Sequence, residues 1–187
     1  MLAIPLSSVQ TTCPSCTQLS TLVVAHAIAA QAHRGQKRAD GLDYLEHPIE
    51  VVRNLVDVGI QDSGTLAAAY LHDALEKGAE TTRALIGADL GLCVLHLVEV
   101  LTDDPGLSSE SKRAHQLDRA SSMPLPARLI KLADRLANLR SPRPDWNAAQ
   151  RRRYAVHSYA LLDALQGTHY ELESQLRQRL SLPAWCL

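Results

Sequence analysis

The sequence predicts an all-α fold, and three observations carry that expectation. Apolar residues recur at i, i+3 and i+4 along most of the chain, alanine and leucine are plentiful, and no alternating β-branched segment runs beyond a few residues. The 187 residues suffice to bury one core without disulfide staples, so a single domain over 18–187 is expected behind a tail at 1–17.

The first helix is expected over 18–33, with Leu22, Ala25, His26, Ala29 and His33 along one side. A polar loop from Arg34 to Glu46 follows and is a candidate binding element. Pro48 suits the first turn of a second helix whose apolar stripe is Ile49, Val52, Leu55 and Val56, and Gly59 is placed to end it. Asp62 or Ser63 caps a third helix over 63–76. After a break at 77–80, Thr81 or Thr82 opens a short helix, and 88–101 reads as another. Helices over 110–120 and 126–140 lead into Ser141-Pro142-Arg143-Pro144, which cannot continue a helix and marks a sharp turn. Asp145 is expected to cap the next helix, 147–166, and Gly167-Thr168 separates it from a last one at 169–180.

Composition narrows the function. Hydrophobic residues make up 46% and charged residues 21%, and no run approaches the roughly 18 apolar residues that span a bilayer, so no membrane partner is expected. A formal net charge of −1 gives no broad field for a polyanion, which argues against nucleic acid and leaves a small anion in a local basic pocket. The first ten residues, MLAIPLSSVQ, have no basic leader, and a cytoplasmic location is expected. Cys13 and Cys16 have the spacing of half a zinc site or a redox pair, but no second such pair completes it. With Cys93 and Cys186 they read as free thiols in a reducing compartment.

The chemistry centres on Leu71-His72-Asp73-Ala74-Leu75-Glu76, where an imidazole and a carboxylate are neighbours in an apolar helical segment. Burying a carboxylate is costly unless something positive compensates it. On a helix, His72 and Asp73 could both reach an ion lying between them, with Glu76 one turn on facing the same site. A second carboxylate, Asp134, falls inside the apolar run 129–139, with Lys131 and Asn138 one turn away on the same face. The bland alternatives are a surface patch for His72 and Asp73, and an internal pairing of Asp134 with Arg135 or Lys131. A further ligand should be one of eight histidines, and spacing does not choose among His26, His33 and His47.

Several spaced motifs resemble the HD-domain hydrolases of the RelA/SpoT group, especially the small single-domain alarmone hydrolases called Mesh1-like. They are Ala32 to Arg38 with Tyr44-Leu45-Glu46-His47-Pro48, then Leu71-His72-Asp73 with Glu76, Leu101-Thr102-Asp103-Asp104, Ile130 to Arg140, and the closing stretch from Trp146 to Tyr154 with 165–168 after it. The resemblance covers about residues 20 to 180 and implies an HD-domain helical bundle without synthetase or regulatory domains. It implies His47, His72, Asp73 and Asp134 as ligands of Mn²⁺, with His33 structural. A mixed set of two imidazoles and two carboxylates suits such an ion without excluding iron, zinc or cobalt. It further implies removal of pyrophosphate from the 3′ position of a purine alarmone, (p)ppGpp or (p)ppApp, with Glu76 assisting proton transfer. Arg38 matches a position that stacks on the purine, and Tyr44, Asn138 and Tyr154 match pocket positions. Simple packing or solvent contact is the alternative for each. Lys112, Arg113 and Arg151 to Arg153 could meet phosphates or form a solvated helix face.

Three departures bear on function. Lys77 stands where the family usually has an acid beside the proposed proton-transfer group, so it either alters the reaction, supplies a cation for phosphate, or abolishes turnover. Ala39 replaces a basic residue, and Asp40 replaces a small one near the base, which leaves adenine as well as guanine open. The rival readings are a hydrolase of another phosphorylated nucleotide, a catalytically silent nucleotide sensor, and a metal-free helical interaction domain.

Overall fold

The structure, a computed structural model, describes residues 14–76 and 79–185. Cys13, Lys77 and Cys186, and the side chain of Cys16, lie outside the described residues. The helices are α1 Pro14–Ala32, α2 Glu46–Asp57, α3 Ser63–Leu71, α4 Ala79–Asp89, α5 Leu92–Leu101, α6 Ser109–Ala120, α7 Leu125–Arg140, α8 Ala148–Ala164 and α9 Tyr170–Leu180. Among the described residues there is no strand, only an isolated bridge between Lys37 and Asp43. The all-α expectation is met.

α3 and α7 form the centre. Thr65 to Ala69 and Leu71 of α3 are buried, and α3 packs on α1, α2, α5 and α7. Alanines do much of this: Ala25 and Ala29 of α1 and Ala67, Ala68 and Ala69 of α3 are fully buried, and side chains that small let helix axes approach closely. α7 is buried on nearly every side, with Leu129, Ile130, Leu132, Ala133, Leu136, Ala137 and Leu139 in the core, as befits a helix surrounded by α2, α3, α5 and α9. Its C-terminal carbonyls are satisfied from outside. Arg179 donates to the carbonyls of Leu139 and Arg140, each at 3.2 Å, and the Trp185 indole donates to Leu139 at 3.2 Å.

The boundaries differ from the sequence reading in instructive places. α1 begins at Pro14, a residue suited to a first helical turn, not at 18. Gly91, at φ +86°, separates α4 from α5 where one helix was expected from 88. Asp145 does not cap α8. It takes a two-pronged pair from Arg143, and Asn147 caps instead, in a reciprocal box with Gln150. Asp62 caps α3 as expected, accepting from the Thr65 amide at 2.8 Å.

The most consequential difference is that α3 stops at Leu71 and does not run to 76. The chain continues in tight turns, with the Ala74 amide donating to Leu71 at 2.9 Å and the Glu76 amide to Asp73 at 3.2 Å. His72 and Asp73 therefore occupy a helix end, where the backbone can turn both side chains toward α2 and α7.

Asn54 fastens α2 to α7 at that same level. It is 2% exposed, donates to the Ala133 carbonyl at 3.0 Å and accepts from Arg140. Replacing Asn54 with Ala strips the Ala133 carbonyl of its donor and leaves the Arg140 guanidinium one acceptor short. A loss of about 1–3 kcal/mol in urea-denaturation stability is expected; a variant as stable as the parent would show that this tie is idle.

Candidate metal centre and nucleotide pocket

Three separate segments bring the chemistry together. His47 lies in the first turn of α2, His72 follows the end of α3, and Asp134 sits in the middle of α7. The two Nε2 atoms are 3.2 Å apart, and Asp134 Oδ1 lies 3.2 Å from that of His47 and 3.8 Å from that of His72. Asp73 Oδ2 completes the group at 3.3 Å from His72 and 3.7 Å from His47. Ligand atoms about 2.1 Å from a common ion stand roughly 3.0–3.4 Å apart, a spacing that three of these five distances meet and the 3.7 and 3.8 Å distances exceed by a few tenths of an ångström. One ligand atom from each of His47, His72 and Asp134 falls within 4.8 Å of the others.

The donor chemistry agrees. His72 Nδ1 donates to the Ala69 carbonyl at 2.8 Å, which turns the Nε2 lone pair of the neutral ring toward the cluster. Both imidazoles are nearly inaccessible to solvent, and among the described residues no lysine or arginine pairs with either carboxylate. Lys131 donates instead to the Leu101 carbonyl at 3.3 Å, and Arg135 lies 4.6 Å from the centre of the Tyr154 ring. The internal pairing of Asp134 considered from sequence is thus not made.

Electrostatics tie together the same four side chains. Burial pushes His72 down, but Asp73 and Asp134 outweigh it and raise the imidazole to about 9. Burial likewise opposes ionisation of Asp134, yet the hydrogen bond from His47 and the charges of both histidines hold it at about 2. Asp73 is held far below the usual carboxylate range by His72, His47 and Tyr44 despite its burial. A proton and a divalent ion would compete for the same imidazole, so ion uptake would be opposed by protons wherever the raised His72 is charged.

Neighbouring side chains orient the carboxylates. The Tyr44 hydroxyl donates to Asp73 Oδ2 at 2.7 Å, and Asn138 Nδ2 donates to Asp134 Oδ1 at 2.6 Å. Tyr44 is aimed by a small loop in which its amide donates to the Gln36 carbonyl and the Arg38 amide to Leu42, closed through Gly41 at φ +88°. Burial and the nearby carboxylates raise its phenol well above the usual range. Glu76 is solvent-accessible at the mouth of a cavity of about 40 Å³ that it shares with His33, Tyr44 and Asp73. Partial burial and repulsion from Asp73 and Asp103 raise its carboxyl. His33 is outside the cluster, its Nδ1 engaged by Gln36 Oε1 at 3.2 Å.

Beside the cluster lies a pocket of about 540 Å³, the size of a small-ligand site. Arg38, Tyr44, His47 and Asn138 line it, as does Arg143, which the sequence reading left as part of a turn. Two substrate-contact expectations sit differently. Asp40 is not on the lining: it faces Arg38 Nε at 3.7 Å and accepts from the Leu42 amide. Tyr154 stands behind the wall, its ring 4.8 Å from Trp146 and 5.8 Å from Trp185, with its hydroxyl bonded to Asn138. Burial raises that phenol to about 12. Arg113, Arg152 and Arg153 line a separate groove between α6 and α8.

A family model described as the HD domain matches residues 25–166. The chain belongs to the HD-domain family. It resembles the mouse guanosine-3′,5′-bis(diphosphate) 3′-pyrophosphohydrolase MESH1, with 36% identity over 87% of this chain and 94% of the relative. A solved structure described as a metazoan ortholog of SpoT that hydrolyzes ppGpp and plays a role in starvation responses superposes with a TM-score of 0.81. It is 32% identical, covering 90% of this chain and 96% of that one. The Brucella melitensis GTP pyrophosphokinase rsh is 40% identical over 126 residues, only 16% of its own length. The chain therefore groups with the small MESH1-like members of this HD-domain family.

Equilibrium dialysis followed by elemental analysis should find about one divalent ion per chain, and His47→Ala should weaken uptake by at least tenfold. Apparent affinity should fall as pH is lowered from about 9, because the raised pKa of His72 makes protons stronger competitors there. Equal ion content in parent and variant would remove His47 from the ligand set.

Proposed function

We propose that this HD-domain chain is a divalent-metal-dependent 3′-pyrophosphohydrolase of purine alarmones, (p)ppGpp or (p)ppApp. The observation that carries the reading is the convergence of His47, His72, Asp73 and Asp134 at the end of a nucleotide-sized pocket, supported by the activity named for the MESH1 relatives. In the reaction a water oxygen bonds to the 3′ phosphorus next to the ribose, the bond from that phosphorus to O3′ breaks, and O3′ takes a proton. Pyrophosphate and a nucleotide with a free 3′-hydroxyl leave. When bound, a divalent ion supplies Lewis acidity and lowers the pKa of water at the phosphorus.

His47, His72, Asp73 and Asp134 would hold that ion, which we assign as Mn²⁺ from the mixed imidazole and carboxylate set. Tyr44 and Asn138 keep the two carboxylates aimed. Glu76 accepts the proton of the attacking water, a task for which its raised pKa suits it. Arg38, whose side chain is only 12% exposed, presents a planar guanidinium to the purine. Tyr154 acts through Asn138, and Asp40 acts through Arg38. A cytoplasmic setting belongs to the proposal, since nucleotide pools and reduced thiols coexist there. Among the described residues no helix is long and apolar enough to cross a membrane.

The second reading, a nucleotide sensor without turnover, is favoured by Lys77 standing beside Glu76 in the sequence. The chain loaded with Mn²⁺ is to be incubated with ppGpp, ppApp, GTP and ATP, and pyrophosphate release followed. Release from an alarmone is expected; tight binding with no release from any of the four establishes the sensor instead. Glu76→Gln should lower kcat by about 10²–10⁴ while ion content stays unchanged. Restoring acid with Lys77→Asp should change rate or base preference, and an identical profile would make Lys77 a bystander.

A further inference from the structure

The nucleotide pocket has two chemically unlike ends. His47, Tyr44 and Asn138 mark the metal end, and the remaining lining carries three cations, Lys37, Arg38 and Arg143, from two segments far apart in the chain. Two of the three are committed elsewhere. Lys37 is drawn to 2.5 Å from Asp43, and Arg38 lies against the wall beside Asp40. Arg143 differs: its side chain is 57% exposed, yet its position is fixed.

That fixing is local and unusual. Pro142 and Pro144 flank Arg143 and restrict the backbone on both sides. The Trp146 amide donates to the Arg143 carbonyl at 3.2 Å and closes the turn. Asp145 then grips the guanidinium from one edge, accepting from Nε at 3.1 Å and Nη2 at 2.8 Å. A guanidinium has five N–H groups, so its Nη1 edge stays free for another acceptor. As a bare surface ion pair this arrangement stabilises little. As a preoriented cation on the wall of a pocket, it lowers the ordering cost of binding an anion.

We propose that Arg143 is a specificity-determining residue that binds the 5′-phosphate end of the substrate. The inference rests on the reading above, in which the 3′-pyrophosphate occupies the metal end. The charge left over on such a nucleotide is its 5′-phosphate or diphosphate, and a planar fork matches phosphate oxygens two at a time. Ser141, on the same lining, adds a hydroxyl donor at that end. The pocket then selects nucleotides phosphorylated at both the 3′ and 5′ positions.

The test compares Arg143→Ala and Arg143→Lys with the parent on guanosine 5′-diphosphate 3′-diphosphate and on guanosine 3′-diphosphate, which lacks the 5′ group. Arg143→Ala should raise KM about tenfold on the first compound with kcat retained, and leave both constants unchanged on the second. Arg143→Lys should recover part of the loss. Equal effects on the two compounds, or none on either, overturn the proposal. Should the parent cleave neither compound, the hydrolase reading fails, and calorimetric binding of GDP decides the role of Arg143 by itself. About tenfold weaker binding in Arg143→Ala upholds it, and equal binding refutes it.

Discussion

Keeping two half-buried carboxylates ionised side by side is the constraint on which this structure turns. Asp73 and Asp134 are both half-buried in the helical bundle, and among the described residues neither has a lysine or arginine against it. Left alone they would take up protons or disrupt the packing around them. Two imidazoles face them and a phenol and an amide donate to them, yet even with His72 protonated one negative charge of the pair is left over. A divalent ion offsets it. The same charge deficit that makes the group expensive as architecture makes it useful as chemistry, because whatever neutralises it sits at the mouth of a ligand pocket.

The surrounding fold is built to hold that compromise still. Buried alanines bring α1 and α3 close, α7 is buried on nearly every side, and Asn54 clamps α2 to the carbonyl one residue before Asp134. Polar groups at the centre are few and most have an assigned neighbour, although His47 Nδ1 is buried without a hydrogen-bond partner among the described residues. The loop over residues 34–45 is different in kind. It contributes no large core residue, and its hairpin-like bonds serve to present Tyr44 inward and Arg38 toward the pocket.

Much of this was legible in the sequence, for physical reasons that also explain what was not. Helical periodicity fixed the fold class and most element centres, because the core selects the same residues the pattern reveals. A lone carboxylate in an apolar run flagged Asp134, and adjacency flagged His72 with Asp73. Spacing could not single out His47, since its place in the cluster depends on how α2 packs against α7; motif resemblance supplied it. The early end of α3 was hidden because Ala74 and Leu75 are as helix-compatible as the residues before them, and tertiary contacts override that preference. Asp145 looked like a cap until Arg143 claimed it. Tyr154 was expected as a pocket residue on resemblance alone; its ring also joins an aromatic group with Trp146 and Trp185, a neighbourhood no local pattern announces. Arg143 was read as punctuation because two prolines flank it, and those prolines are what hold it in place.

The origin of the ligands in three distant stretches of chain has a consequence for the life of the protein. An ion seated among α2, the end of α3 and α7 would work as a reversible crosslink across nearly half of the polypeptide, and would bind the native chain far better than the denatured one. Resistance to heat and proteolysis would then rise with the free concentration of that ion. The abundance of the protein in a cell would in part register how much metal the cell has to spare.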